Sequence, residues 1–451
     1  MLKTILAGFA ALAIVAAPAT ADTDSEWSPS TFTLDNGMEV VVLPDHRAPV
    51  VTHMVWYKVG AAHEAPGKSG IAHLFEHVMF KETDDIGPEE FTSIVQRNGG
   101  QLNAFTSWDY TAYYERVAKE HLGTMMGLEA ERMTDLIIND DPEGPFISER
   151  DVVKEERRQR IENNPGALLQ EKATGAFWKG HPYEITVIGL MDEVQALTPE
   201  DGLAFYRKYY SPENAILVVA GDVTADEVKT LAEEHYGPIP QSETFEPDNP
   251  WTPVADIAET ELITHSDPKV RQPQWARYYM GTSRVRDRSF ALALEVGLDV
   301  LGGGMTSRLY QALVEDQKIA IAVSTGAFTS LHDEGPAFIF ATPADGVALE
   351  DLETAVMTEL RAALEDGFSE ADVERSRNSM AATAVYARDS QEGMANAFGA
   401  ALSIGQSVDN ILSYPDDVRA VTAEEALAAV RSVFAEDKNY IETHLLPEEG
   451  L

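Results

Sequence analysis

Five consecutive residues, His73-Leu74-Phe75-Glu76-His77, set two imidazoles and a carboxylate at spacings of three and four. Residues so spaced are neighbours on a helix surface, so the three side chains would project to one side. Two imidazoles placed that way can both reach one Zn²⁺ at about 2.0–2.1 Å, and a carboxylate beside them can take a proton from the water that the ion acidifies. The flanks predict the helix: Gly70 stands before it, and Ile71, Leu74, Phe75 and Val78 form a packing stripe. The plainer alternative is a pair of core or surface histidines; a metal site is the stronger reading.

A hydrolytic zinc site needs a third protein ligand and a position left to water. The segment Ser148-Glu149-Arg150-Asp151-Val152-Val153-Lys154-Glu155-Glu156 supplies candidates. Ser148 reads as an N-cap and Val152 and Val153 as a buried stripe. Glu149 and Glu156 are two helical turns apart and fall near that stripe, whereas Glu155 is rotated about 100° away, toward solvent. A glutamate among buried valines is costly unless paired or ligated. Glu156 as ligand with Glu149 in support answers that cost.

The order His-x-x-Glu-His is the inverzincin signature. Together with Glu149 and Glu156, with Gly99-Gly100-Gln101-Leu102-Asn103-Ala104-Phe105-Thr106, with Tyr209-Tyr210-Ser211-Pro212-Glu213-Asn214 and with Gly302-Gly303-Gly304-Met305-Thr306-Ser307-Arg308-Leu309, it resembles the pitrilysin, insulysin and mitochondrial processing peptidase family. The resemblance covers nearly the whole chain after its amino terminus. It implies one Zn²⁺ per chain bound by His73, His77 and Glu156, Glu76 as general base, and Glu149 supporting catalysis from nearby. It also implies that the strand after Gly99-Gly100 holds substrate by backbone pairing, with Asn103, Ala104 and Phe105 at the contact. An ordinary structural strand behind a glycine turn is the alternative there.

The elements that must position these residues come twice. His53 to Gly60 recurs as Gln274 to Gly281, and Phe146-Ile147-Ser148-Glu149 as Phe368-Ser369-Glu370. Asn214 to Val218 is echoed by Asn439 to Glu442. The fold class is therefore α+β: two homologous domains, each a mostly antiparallel sheet with helices packed on one face. Residues 22–240 form the zinc-binding peptidase domain, 241–258 a linker rich in Pro and acidic residues, and 259–451 a second domain. At an offset of 281 − 60 = 221, Leu294, Gly297 and Leu298 stand where His73, Glu76 and His77 do, so only the first domain carries metal.

Lys3, an apolar run from Thr4 to Ala17 and Ala19-Thr20-Ala21 predict a secretory signal peptide over residues 1–21 and a periplasmic protein. The run is too short for a membrane span, and the chain holds no cysteine for a lipid anchor or a disulfide. A net charge of −41, spread along the chain, argues against nucleic acid as a partner. That charge serves solubility or the attraction of basic peptides.

One departure from the family pattern bears on partners. Relatives active as single chains carry, after the Gly-rich turn, an Arg and a Tyr seven residues later that bind the substrate backbone. Val314 and Ile321 stand at those positions here, and the nearby Arg308 and Tyr310 have the wrong spacing. Two repeats also make only half of the closed, clamshell-like shell of the long members. The resemblance thus implies the zinc-bearing subunit of an endopeptidase that hydrolyses peptides or unfolded segments, completed as a heterodimer by a paralogous subunit carrying the Arg/Tyr pair. A non-catalytic peptide-binding subunit and a self-sufficient homodimer are the competing expectations.

Overall fold

The computed structural model describes residues 28–141, 144–245 and 253–448. The predicted signal peptide, 1–21, and part of the predicted linker, 246–252, lie outside the described residues.

The first sheet contains β1 (Ser30–Thr33), β2 (Glu39–Pro44), β3 (Val50–Tyr57), β4 (Gln101–Thr106), β5 (Thr111–Ala118) and β6 (Ala215–Gly221). Their order is β1-β2-β6-β3-β5-β4, with β2 and β6 parallel and every other pair antiparallel. The second sheet contains β7 (Glu261–Asp267), β8 (Gln274–Met280), β9 (Ala320–Ala327), β10 (Pro336–Pro343) and β11 (Tyr440–Pro447). Its order, β7-β11-β8-β10-β9, again has one parallel pair, β7 with β11. Matching the two sheets strand for strand pairs β2 with β7, β6 with β11, β3 with β8, β5 with β10 and β4 with β9. The repeat seen in the residues is thus a repeat of topology.

On one face of the first sheet, Val40, Val42, Val55, Tyr57, Leu217 and Val219 pack against helices of the same half, through Leu74, Phe75, Met125 and Met126. The opposite face carries Val41, Met54, Trp56, Ile216 and Val218. It is covered by a helix of the other half, Gln391–Ser403, through Met394, Ala395 and Phe398. This explains why β6 is apolar at every position from Ala215 to Gly221 instead of alternating, since a strand covered on both faces has no polar side. Gly399 is required in that helix, because a Cβ there would lie 2.0 Å from the Trp56 ring.

The reverse contact is made by the helix Pro165–Phe177, whose Ala173 and Phe177, with Trp178 and Tyr183, cover the outer face of the second sheet at Ile263, Tyr278 and Ile441. The two halves therefore keep their own helices on one face and exchange one helix each across the other. Among the described residues no helix is long and apolar enough to cross a membrane.

Candidate metal centre

The helix bearing the histidines runs from Ile71 to Val78. Gly70 opens it with φ +86°, where a Cβ would meet Val194 Cγ2 at 2.6 Å and the Ile188 carbonyl at 2.8 Å. The Glu64 carboxylate accepts hydrogen bonds from the Gly70 and Ala72 amides at 3.0 and 2.9 Å, satisfying donors that a helix start leaves open. Burial of Ile71, Leu74, Phe75 and Val78 then fixes the rotation that points His73 and His77 at a second helix, Pro145–Arg157, and Glu76 at the end of β4.

That second helix starts four residues earlier than the serine suggests: Gly144 is its N-cap, Pro145 its first residue, and Ser148 lies inside it. Val153 and Phe146 are fully buried, but Val152 is exposed, so the stripe runs through Phe146, Glu149, Val153 and Arg157. Spacings of three and four account for this; Val152 lies about 100° off that line. Glu149 and Glu156 face the histidines. Glu155 faces solvent, paired with Arg158 at 3.2 Å.

His77 Nε2 lies 3.3 Å and His73 Nε2 3.7 Å from Glu156 Oε2, and the two imidazole rings meet edge to face with centroids 5.0 Å apart. Ligand atoms at about 2.0–2.1 Å from one ion in a tetrahedral array are themselves about 3.3 Å apart, so this donor set fits a zinc ion. Electrostatics agree. Although burial works against the charged form, hydrogen bonds to Glu149 and Glu156 raise the His77 pKa to about 9. Burial and the neighbouring His77 lower that of His73 to about 4, leaving a neutral ring with a free lone pair. The pocket is arranged to hold positive charge against Glu156, whose own pKa is lowered chiefly by His77.

Three supporting side chains escaped the sequence reading. Lys81 Nζ reaches Glu149 Oε1 at 2.8 Å, while Glu149 Oε2 takes His77 Nδ1 at 3.2 Å. Arg160, in the turn after the helix, holds Glu156 Oε1 at 2.8 Å. Thr106 Oγ1 donates to Glu76 Oε2 at 2.7 Å, and burial raises the pKa of Glu76 despite that bond. Lys81 lies four residues beyond His77, one turn on, and was legible in principle. Thr106 was not, because its partner is on another element.

Among the described residues the strand β4 pairs only with β5, and its other edge runs unpaired beside this cluster. Its alternation divides the predicted contact residues. Ala104 joins the core beneath the histidine helix, and Thr106 points the same way. Phe105 points to the opposite face, packed on Trp56 and Tyr110 with centroids 5.2 and 6.3 Å away, and Asn103, one position further back on that side, is exposed. Of the three residues expected at the substrate contact, Ala104 thus lies with Thr106 on the histidine side of β4, and Asn103 and Phe105 lie on the other, along the same backbone edge.

Among the described residues the second half has no counterpart centre. Leu294 and Leu298 are buried, and a Cβ on Gly297 would meet Ala426 O at 2.6 Å, so the helix Ala423–Val433 fills the space that the first half leaves open. At the same offset Glu149 becomes Glu370 and Glu156 becomes Arg377, and the two form an ion pair at 2.5 Å. Two other His/Glu clusters, His53-Glu115-Glu129 and Glu353-Glu442-His444, already hold an arginine as counter-charge, Arg132 and Arg277. Ile321, at the expected tyrosine position, is exposed on β9, and Arg308 is engaged with Asp366.

Comparison with known proteins agrees with this geometry. Residues 39–190 match the profile described as "Insulinase (Peptidase family M16)", and residues 196–380 the one described as "Peptidase M16 inactive domain". The chain is 32% identical over 374 residues to "Zinc protease PqqE" of Helicobacter pylori, covering 82% of each protein. It is 25% identical over 412 residues to "Uncharacterized zinc protease YmxG" of Bacillus subtilis, covering 90% of this chain and 96% of the relative. The fold superposes on a solved protease from Helicobacter pylori with a TM-score of 0.86 at 28% identity, over 93% of this chain and 100% of the other. It also superposes on the periplasmic protease PqqL from Escherichia coli with a TM-score of 0.79 at 17% identity, over 94% of this chain but 48% of that one, a likeness of fold alone. With its histidine and glutamate helices inside the residues that match the insulinase profile, and about a third of its residues identical to a zinc protease over most of both chains, the chain belongs to peptidase family M16.

Proposed function

We propose that this chain is the catalytic, zinc-bearing subunit of a periplasmic endopeptidase, cutting peptides or unfolded segments. The observation that carries the reading is the convergence of His73, His77 and Glu156 on one point, with Glu76 on the same helix face and the open edge of β4 beside it. His73, His77 and Glu156 would hold the ion, which when bound polarises the scissile carbonyl and acidifies water. Glu76 takes a proton from that water as its oxygen bonds to the carbonyl carbon, and delivers it to the amine nitrogen as the C–N bond breaks. Burial suits Glu76 to both tasks, because a raised pKa lets the carboxyl group carry the proton between them. Glu149 fixes His77 with Nδ1–H as donor, which leaves Nε2 for the metal. The β4 edge would align the peptide by main-chain hydrogen bonds, giving affinity with little dependence on side-chain sequence.

The predicted signal peptide supports export. A half-shell completed by a partner is supported by Val314 and Ile321 at the positions of the missing Arg/Tyr pair, and by a chain that spans about half of PqqL. Zinc analysis and a quenched-peptide assay on point variants test the chemistry. His73→Ala, His77→Ala and Glu156→Gln should each lower zinc content, and Glu155→Gln should not. Glu76→Gln should keep the metal and lose cleavage by about 10²–10⁴-fold. Wild-type cleavage by Glu76→Gln would mean that Glu76 is not the base, and no cleavage by the wild-type chain in any assembly would favour a peptide-binding subunit.

A further inference from the structure

We propose that Thr106 is the positioning residue that couples the peptide-holding strand to the general base; this rests on the reading of Glu76 given above. Thr106 is the last residue of β4, and its hydroxyl donates to Glu76 Oε2 at 2.7 Å across a separation of thirty residues. That bond occupies one carboxylate oxygen and leaves Oε1 for the water. It also sets the torsion of a carboxylate that would otherwise turn freely at the end of a flexible side chain.

The hydroxyl is itself held in place. Thr106 is β-branched, which restricts χ1. The chain just beyond it is clamped, with Ser107 N bonded to Tyr110 O at 2.8 Å and the Ser107 and Trp108 carbonyls accepting from Ala61 and Ala62 at 3.0 and 2.9 Å. Gly60 allows that approach, since a Cβ there would lie 2.3 Å from Ser107 O. Thr106 thus belongs to two structures at once. Its backbone continues the edge that would pair with the peptide, and its side chain aims the group that moves the proton. A peptide seated on β4 is registered against Glu76 by one rigid residue, so a displacement of the strand also displaces the base.

Thr106→Val removes the hydroxyl and keeps the shape; Thr106→Ser keeps the hydroxyl and loosens its rotamer. With the full-length zinc-loaded protein, in whatever assembly shows activity, Thr106→Val should lower kcat by about 10-fold or more with KM and zinc content unchanged, consistent with a contribution made at the chemical step. Thr106→Ser should recover most of the loss. In an inactive Glu76→Gln background, adding Thr106→Val should leave the affinity for an uncleaved fluorescent peptide unaltered, because the hydroxyl then serves no base. Full kcat in Thr106→Val beside an inactive Glu76→Gln would overturn this proposal alone. A fall in peptide affinity, or equal losses in the Val and Ser variants, would overturn it in favour of a role in strand shape. Full activity in Glu76→Gln would instead remove the reading on which it stands.

Discussion

His77 Nδ1 and Glu149 Oε2 stand 3.2 Å apart, and the other oxygen of the same carboxylate is held by Lys81 at 2.8 Å. The two contacts form a relay in which a lysine one turn beyond His77 fixes the carboxylate that fixes the imidazole. Such outer partners commonly change metal affinity by about 10–100-fold. Lys81→Ala should therefore weaken zinc binding by about 10-fold, and Glu149→Ala by more, as read by competition with a chromogenic chelator. Unchanged affinity in both variants would make the relay a packing feature only.

Isolated from any partner, the chain should bind zinc yet cleave peptides poorly, because the Val314 and Ile321 side chains offer no donor to a substrate carbonyl. Adding a paralogous subunit that carries the Arg/Tyr pair should restore cleavage and shift the elution volume to that of a heterodimer. Full activity from a verified monomer or homodimer would remove the two-subunit reading and leave the zinc chemistry standing.

The exchange of helices between the halves makes a stability prediction far from the histidine cluster. A Cβ at position 399 would lie 2.0 Å from Trp56. Gly399→Ala should therefore destabilise the protein by about 1–3 kcal/mol through overpacking, and Trp56→Phe in the same chain should return part of it. Urea unfolding midpoints of the single and double variants would show the coupling; additive losses would contradict it.

A buried network under β3 makes stability depend on pH. Glu115, Glu129 and Arg132 are fully buried together, and burial, opposed by Arg132, raises Glu129 to about 8. Its value outside that environment is 4.5, so between those limits the folded state keeps a proton the unfolded chain has released. Stability from this group is complete below 4.5 and is lost as pH rises toward 8. His53 acts oppositely: burial lowers it from 6.5 to about 4, so its effect favours folding as pH rises through that range and is finished above it. Of the two, only Glu129 still acts between pH 6.5 and 8. In metal-free protein, Glu129→Gln should flatten the decline of stability over that interval, measured by urea unfolding. An unchanged slope would mean that the proton is held elsewhere in the network.

Much of the centre was legible in the order of residues because helical pitch is local. The three-and-four spacing of His73, Glu76 and His77, and the two-turn spacing of Glu149 and Glu156, state which side chains share a face whatever surrounds the helix. The same pitch set Glu155 outward, and the recurrence at an offset of 221 announced two matching sheets, one with leucines in place of histidines. Periodicity is silent about what stands opposite. It counted Val152 into a stripe from which its own rotation removes it. It could not pair Thr106 with Glu76, because thirty residues and a change from helix to strand lie between them. Nor could it send Gln391–Ser403 to the back of the first sheet, although the unbroken apolar run of β6 implied that something must lie there. Spacing along the chain set which residues act together on one element; the packing of one element on another chose their partners, because those contacts join positions whose separation carries no period.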